Sequence, residues 1–339
     1  MNKVLCFGEL LLRMSPASDG SWLRNGLLPV YAGGSELNVA AGLAQWNIPV
    51  SFFSAVPDHY MSRGILHYLE EKKIDTSQIR FAGNRIGIYF LPPGSELKNT
   101  GVIYDRANSS FSELSAAGID WDQALENTDW IHFSAITPAL SEDSFQLCKQ
   151  ALAEASKRNI TVSVDLNYRS KLWKYGRSPL EVMSRLASYC DLIMGNIWSA
   201  NLLLGIEVDE DIHKKDAKEN YTGHAEKTAR SIMEKFPRCK TVANTFRFDL
   251  EGGGILYYTS LSKEGISYHS PVFRTERIVD RVGSGDCYMA GLIYGHYRRR
   301  PPQEIVDFAT SAAFGKLQET GDFTTQDIEK IYARLQRHG

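Results

Sequence analysis

The chain has 339 residues, of which 43% are hydrophobic and 23% charged, and its 38 Lys+Arg against 40 Asp+Glu leave a net charge of -2. A chain of this length buries about three quarters of the surface its unfolded form exposes, so it needs no disulfide or metal for stability. The charge balance excludes a polybasic nucleic-acid binder, no run reaches the ~20 apolar residues of a membrane span, and one large core, or at most two, is expected.

The five cysteines, Cys6, Cys148, Cys190, Cys239 and Cys287, are scattered with no CxxC pair, which argues against a disulfide framework or a zinc site. The opening MNKVLCFGELLLRM is broken by Glu9 and Arg13 and has no signal-peptide core. Reduced thiols and the lack of an export signal point to the cytoplasm.

Short apolar runs alternate with longer amphipathic segments, the pattern of βαβ units and a parallel sheet. In chain order, Val4 to Phe7 predicts a buried strand, Ser35 to Trp46 a helix with a possible Ser cap, and Ser51 to Val56 the next strand. Tyr60 to Lys73 places Ile65, Leu66 and Leu69 on one helical face. Further strands are expected at Trp130 to Phe133, Thr161 to Leu166, Leu192 to Gly195 and Thr241 to Thr245, with helices at Glu142 to Arg158 and His224 to Lys235. Leu27 to Ala32, Arg85 to Leu91 and Val102 to Asp105 are rich in β-branched and aromatic residues with no helix between, which predicts hairpins forming a small β lid. The charge-dense stretch Glu207 to Tyr221 reads as a solvated surface insertion.

Two motifs carry chemistry. In IVDRVGSGDCYMAGLI, Ile278 to Ile293, a short strand is expected to enter Gly283-Ser284-Gly285-Asp286 and then a helix, so that successive N–H groups and the helix's positive end form an anion site. A carboxylate there repels phosphate unless Asp286 takes the proton from an attacking hydroxyl; the alternative is that Asp286 is a helix N-cap. In Gly33-Gly34-Ser35-Glu36-Leu37-Asn38, glycines at a strand–helix junction allow close approach of a polyhydroxylated ligand, and Glu36 and Asn38 can bond its hydroxyls. A capped helix packing on a sheet explains that second motif equally well. The chain has no GxxxxGK[ST], no HRD or DFG and no GxGxxG.

Together the two motifs resemble those of the PfkB or ribokinase family of sugar and nucleoside kinases. The resemblance runs from VLCFGELLLRM to the terminal TGDF. It implies a ribokinase-like three-layer α/β/α core with a mainly parallel sheet at 1–10, 36–82 and 108–339, and a small β-sheet lid at 11–35 and 83–107. It also implies ATP and Mg²⁺ as cofactors, Asp286 as the catalytic base, and Gly283, Ser284 and Gly285 as the anion hole.

NRIGIYFLPPG, VIYDRANSS, DLNYRSKLW and VDRVGSGD look like segments of 2-keto-3-deoxygluconate kinases. By that likeness Gly34, Asn38, Tyr89, Tyr104, Arg106, Arg169 and Asp322 are the substrate-binding residues, with Arg106 and Arg169 meeting a sugar carboxylate. Asn196, Thr245 and Arg247 are then the nucleotide-binding residues. Plainer roles stand beside these: lid packing for Tyr89, a loop cap for Asp322, a surface ion pair for either arginine. The pattern departs from the family at Ser199, where an acidic residue is usual after Asn196, and at Thr245-Phe246-Arg247-Phe248-Asp249, where the ketodeoxygluconate type carries Thr-Leu-Arg-Glu-Ser. No metal ligand is assigned directly. The partners expected are a small sugar acid and ATP, with no nucleic acid and no membrane, and a homodimer or higher homo-oligomer formed through the lid. The rival readings are a fructokinase-like kinase of a neutral sugar and a sugar or nucleotide sensor without turnover.

Overall fold

A computed structural model of the chain describes residues 2–93, 101–209, 212 and 218–338. In chain order the strands are β1 (Lys3–Phe7), β2 (Leu11–Met14), β3 (Val30–Gly33), β4 (Val50–Val56), β5 (Ile79–Phe81), β6 (Gly87–Phe90) and β7 (Ile103–Asp105). They continue with β8 (Thr128–Ser134), β9 (Thr161–Asp165), β10 (Leu192–Gly195), β11 (Thr241–Asp249), β12 (Ile255–Lys263), β13 (Ile266–His269) and β14 (Phe273–Thr275).

The main sheet runs β13-β12-β11-β10-β9-β8-β1-β4-β5, with β14 paired to β12. From β5 to β11 every pairing is parallel, and only the β11–β14 end is antiparallel. Alternate side chains of β1 separate two cores. Val4 and Cys6 pack with the helices Ser35–Gln45, Ser284–Tyr297 and Pro302–Lys316, whereas Leu5 and Phe7 pack with Glu142–Lys157, Pro179–Ala187 and Ile197–Leu204. A strand buried on both faces must be apolar throughout, which is why VLCF shows no alternation. The result is a ribokinase-like three-layer α/β fold. No helix among the described residues is long and apolar enough to cross a membrane.

The second sheet has four strands in the order β3-β2-β6-β7. Its strand β2 lies inside the opening apolar run, where no separate strand is expected from the sequence. Tyr89 faces Tyr104 across the antiparallel β6–β7 pair, as a hairpin predicts, but β2 and β6 run parallel, with Arg13 beside Tyr89. The chain therefore enters this sheet twice, after β1 and after β5.

One other expectation is corrected, and a second is met in part, with Glu207 and Asp209 exposed. Ile278–Val282 is not a strand: the N–H groups of Val279 and Asp280 point at the Leu317 carbonyl, and that of Val282 at the Asp280 carboxylate, so none joins a ladder. The charge-dense 207–221 stretch falls partly outside the described residues, yet its apolar members Ile212 and Tyr221 are buried in a cluster with Phe246 and Tyr258.

Candidate active site

A cleft of about 670 Å³ opens at the carboxyl ends of β9, β10 and β11 and reaches the N-terminus of the helix Ser284–Tyr297. Ligands of open α/β sheets bind at this edge, because loops and helix N-termini converge there. Tyr104, Arg169, Asn196, Thr245, Arg247 and the whole Gly283–Asp286 turn line it.

Gly283 is the N-cap of that helix, with φ of +78°, and no side chain caps it. A Cβ there would lie 2.4 Å from the Asp322 carbonyl oxygen, so only glycine lets the turn lie this close to the neighbouring loop. The N–H groups of the first helical turn, which have no partner within the helix, face an approaching anion together with the helix's positive end. The Ser284 hydroxyl does not take part, because it donates to the Ala313 carbonyl.

Asp286 sits in that first turn without acting as a cap. Its carboxylate accepts hydrogen bonds from Ser35 Oγ at 2.9 Å and Asn38 Nδ2 at 2.7 Å. The expected Ser35 cap is therefore not made: Gly34, at φ of +132°, is the N-cap of Ser35–Gln45, and Ser35 turns its hydroxyl onto Asp286. A Cβ on Gly34 would lie 2.3 Å from the Glu9 carbonyl oxygen, so this glycine lets the start of the helix lie against the β1–β2 junction, and Ser35 and Asn38 then join the two motifs through Asp286. Burial pushes the Asp286 pKa up to about 6, against the Asn38 and Ser35 hydrogen bonds and the Arg169 charge, with Glu36 adding to the rise. A carboxyl poised near 6 is ionised at neutral pH and basic enough to take a hydroxyl proton.

The expected ligand residues divide into two sets. Arg169 lines the cleft and its charge is felt at Asp286. Arg106 is buried and bonded to Glu9 through both Nε and Nη2, behind Tyr104, whose ring centre is 6.0 Å from its guanidinium carbon. Asp322 is wholly enclosed: its oxygens accept from Arg13 Nε at 2.7 Å and from the Tyr89 hydroxyl at 3.0 Å. Gly34, Asn38, Tyr89, Arg106 and Asp322 are absent from the cleft lining, so they stand behind it. Asn196 caps the helix Ile197–Leu204 by accepting from the Ser199 N–H, leaving its amide nitrogen for other partners. Glu36 is corrected as a sugar contact: its Oε1 accepts from Ser134 and Thr137, in the core.

Sequence reasoning missed several residues. Ser35 aims the carboxylate. Arg13, 1% exposed, joins Asp280 at 2.9 Å and Asp322 at 2.7 Å and lies 4.4 Å over the Tyr31 ring. Lys171 lines the cleft and donates to the Val102 carbonyl of the small sheet's segment. The available signal for Glu9 and Arg13 was their charge inside an apolar run, a pattern that calls for buried partners. Trp198, Phe246 and Phe248 form an apolar wall at the cleft's β10–β11 end. The carboxylates of the lining are Asp165 and Asp286, and no cluster of three metal-ligating side chains occurs among the described residues. Such a donor set suits a divalent ion that arrives on a polyphosphate and keeps most of its water, as Mg²⁺ does.

Known proteins resemble this chain over nearly its whole length. The family model described as pfkB family carbohydrate kinase matches residues 1–328. The crystal structure of 2-dehydro-3-deoxygluconokinase from Thermotoga maritima superposes with a TM-score of 0.89 at 33% identity, covering 99% of this chain and 100% of that one. Among curated relatives, 2-dehydro-3-deoxygalactonokinase of Haloferax volcanii is 24% identical over 338 residues, 97% of this chain and 96% of its own. The 5-dehydro-2-deoxygluconokinase of Clostridium tetani is 26% identical over 285 residues, 84% of this chain and 77% of its own.

Proposed function

The chain belongs to the pfkB family of carbohydrate kinases, and on that premise we propose that it transfers the γ-phosphoryl group of ATP to the terminal hydroxyl of a sugar acid, 2-keto-3-deoxygluconate. The observation that carries this reading is Asp286: a buried carboxylate with pKa near 6, aimed by Ser35 and Asn38 into a cleft that Arg169 also lines. Asp286 accepts the proton of the sugar hydroxyl as the oxygen attacks phosphorus in line and the bond to the nucleotide's β-phosphate oxygen breaks. The N–H groups of the Gly283–Asp286 turn hold the transferring group's oxygens, and Arg247, in the same cleft, adds positive charge toward the nucleotide.

Asp165 is the lining carboxylate that would hold Mg²⁺, which when bound would neutralise charge on the polyphosphate, and Asp286 is kept for the proton. Thr245 and Asn196, on the same wall as Phe246 and Trp198, support the nucleotide end. At the sugar end Arg169 meets the carboxylate, while Arg106, fixed by Glu9, backs Tyr104. Segments 11–35 and 83–107 act as a lid that excludes water and so limits ATP hydrolysis. Val30 and Ile103 on the outer strands of that sheet are 50% and 62% exposed, which supports self-association through it.

The test is ADP release with Mg-ATP and 2-keto-3-deoxygluconate. The galactonate epimer, 5-dehydro-2-deoxygluconate, fructose and no sugar run in parallel. Release specific to the first supports the proposal; preference for another acid moves the substrate within the class, and release with fructose alone removes the carboxylate role from Arg169. Release with no sugar tested transfers the weight to a sensor that binds without turnover.

A further inference from the structure

One buried cation has no part in the chemistry above. Lys316 ends the helix Pro302–Lys316 with 0% of its surface exposed. Its ammonium donates to the carbonyl oxygens of Gly321 at 2.7 Å and Glu319 at 3.4 Å, which are dipoles and carry no net charge. Of the carboxylates in the adjoining loops, Asp280 and Asp322 are bonded to Arg13, and that of Glu319 accepts from the Thr324 hydroxyl and from the N–H and hydroxyl of Thr325. Among the described residues no carboxylate is paired with this ammonium, and enclosing it so is unfavourable. Its place at the C-terminus of its own helix offsets part of that cost.

The opposite holds for the next turn of chain. A Cβ built on Gly283 would lie 3.3 Å from Lys316 Cε, so the lysine stem runs directly beneath the N-cap of Ser284–Tyr297. A cation there meets the positive end of a helix, an arrangement that is unfavourable until an anion sits on the other side of the turn. The charge is felt in that helix: burial drives the Cys287 thiol up to about 12, and Lys316 is the strongest influence opposing the rise.

We propose that Lys316 is a fixed positive charge beneath the Gly283–Asp286 turn, a positioning residue that acts through the turn to strengthen its hold on a polyphosphate and on the phosphoryl group in transfer. The effect on turnover rests on the kinase reading of the site; the effect on anion affinity does not, and the two are measured separately.

The experiment titrates inorganic tripolyphosphate into the full chain and its Lys316→Met, Lys316→Gln and Lys316→Arg variants, at low and high salt. Turnover and thermal midpoint are measured alongside. Gln keeps a donor for the Gly321 carbonyl and lacks the charge, so it separates charge from hydrogen bonding and stands in should Met not fold. The expected result is that Met and Gln both bind tripolyphosphate about tenfold or more weakly, with a shallower salt dependence, while Arg stays within about threefold. With the sugar in use, kcat falls by a similar factor for Met and Gln and the sugar KM holds within about twofold. Wild-type affinity and kcat in Gln overturn the proposal, and a lowered midpoint as the sole change makes Lys316 a helix end only. If no sugar is turned over at all, an intact tripolyphosphate difference still upholds the charge while the kinase reading fails.

Discussion

Two regions of the molecule use the same two residue types to opposite ends. Where the small sheet meets the core, Arg13 is enclosed by Asp280 and Asp322 and Arg106 by Glu9, so each guanidinium has its carboxylate and little capacity remains for a ligand. Burial works against the Arg13 charge, and Asp322 and Asp280 outweigh it, raising its pKa above the ordinary value. In the cleft, Asp286 has two neutral donors and no cation bonded to it, and its pKa moves toward neutrality. Pairing fixes architecture; incomplete pairing leaves a group able to exchange a proton. Residue type alone does not tell the two apart.

The comparison breaks most sharply at Asp286. Asp286→Asn is expected to lower kcat by about 10²–10⁴-fold while sugar and nucleotide dissociation constants, read by calorimetry, change little; an active Asn variant removes the base assignment. Next comes the pair of arginines. Arg106→Ala leaves Glu9 buried without a counter-ion and should destabilise folding by roughly 3–5 kcal/mol, visible as a lower denaturation midpoint. Arg169→Ala should leave that midpoint nearly unchanged and reduce kcat/KM for the acid sugar by about 10–100-fold, sparing a neutral sugar. Equal stability losses in both variants would erase the distinction between the regions.

Two smaller effects sharpen it. Because Asp286 titrates at about 6, kcat/KM should be low below that pH, where the carboxyl is protonated and cannot accept the hydroxyl's proton, and should rise to a plateau above it. The Ser35 hydrogen bond favours the ionised form, so Ser35→Ala should move this limb toward higher pH; a shift to lower pH would contradict the hydrogen-bond assignment. Smallest of all, Tyr89→Phe removes one hydrogen bond to Asp322 and should cost about 1 kcal/mol of stability, measured by urea titration with turnover largely kept.

The legible parts of the chain were those with local causes. Helix Ser35–Gln45 and strands such as β4 and β10 announce themselves by apolar runs bounded by glycine or polar residues. The anion turn reads from four consecutive residues. Arg13 shows the limit: its partner Asp322 is 309 positions away, and no spacing rule connects them. Leu11–Met14 was lost for a related reason. The run is continuous in hydrophobicity, but Gly8 and Glu9 mark where the chain leaves one sheet for another, and the parallel partner β6 arrives only at residue 87. The Ile278–Val282 segment failed in the other direction, because β-branched residues there obey side-chain and carbonyl partners from other loops instead of a neighbouring strand.

The interleaving of β2 with β6 at the centre of the small sheet has a mechanical consequence. A cover built from one excursion would hang from two tethers and could swing as a flap. Here the backbone crosses between the sheets four times, leaving after β1 and β5 and returning after β3 and β7. Motion of the small sheet as the proposed lid would therefore strain four joints together, which favours displacement as a stiff plate over local folding of its edge. The same weave sets the unit of exchange: 11–35 and 83–107 each supply one antiparallel pair, β2–β3 and β6–β7, so a swap of the small sheet between relatives has to carry both segments to preserve the β2–β6 pair at its middle.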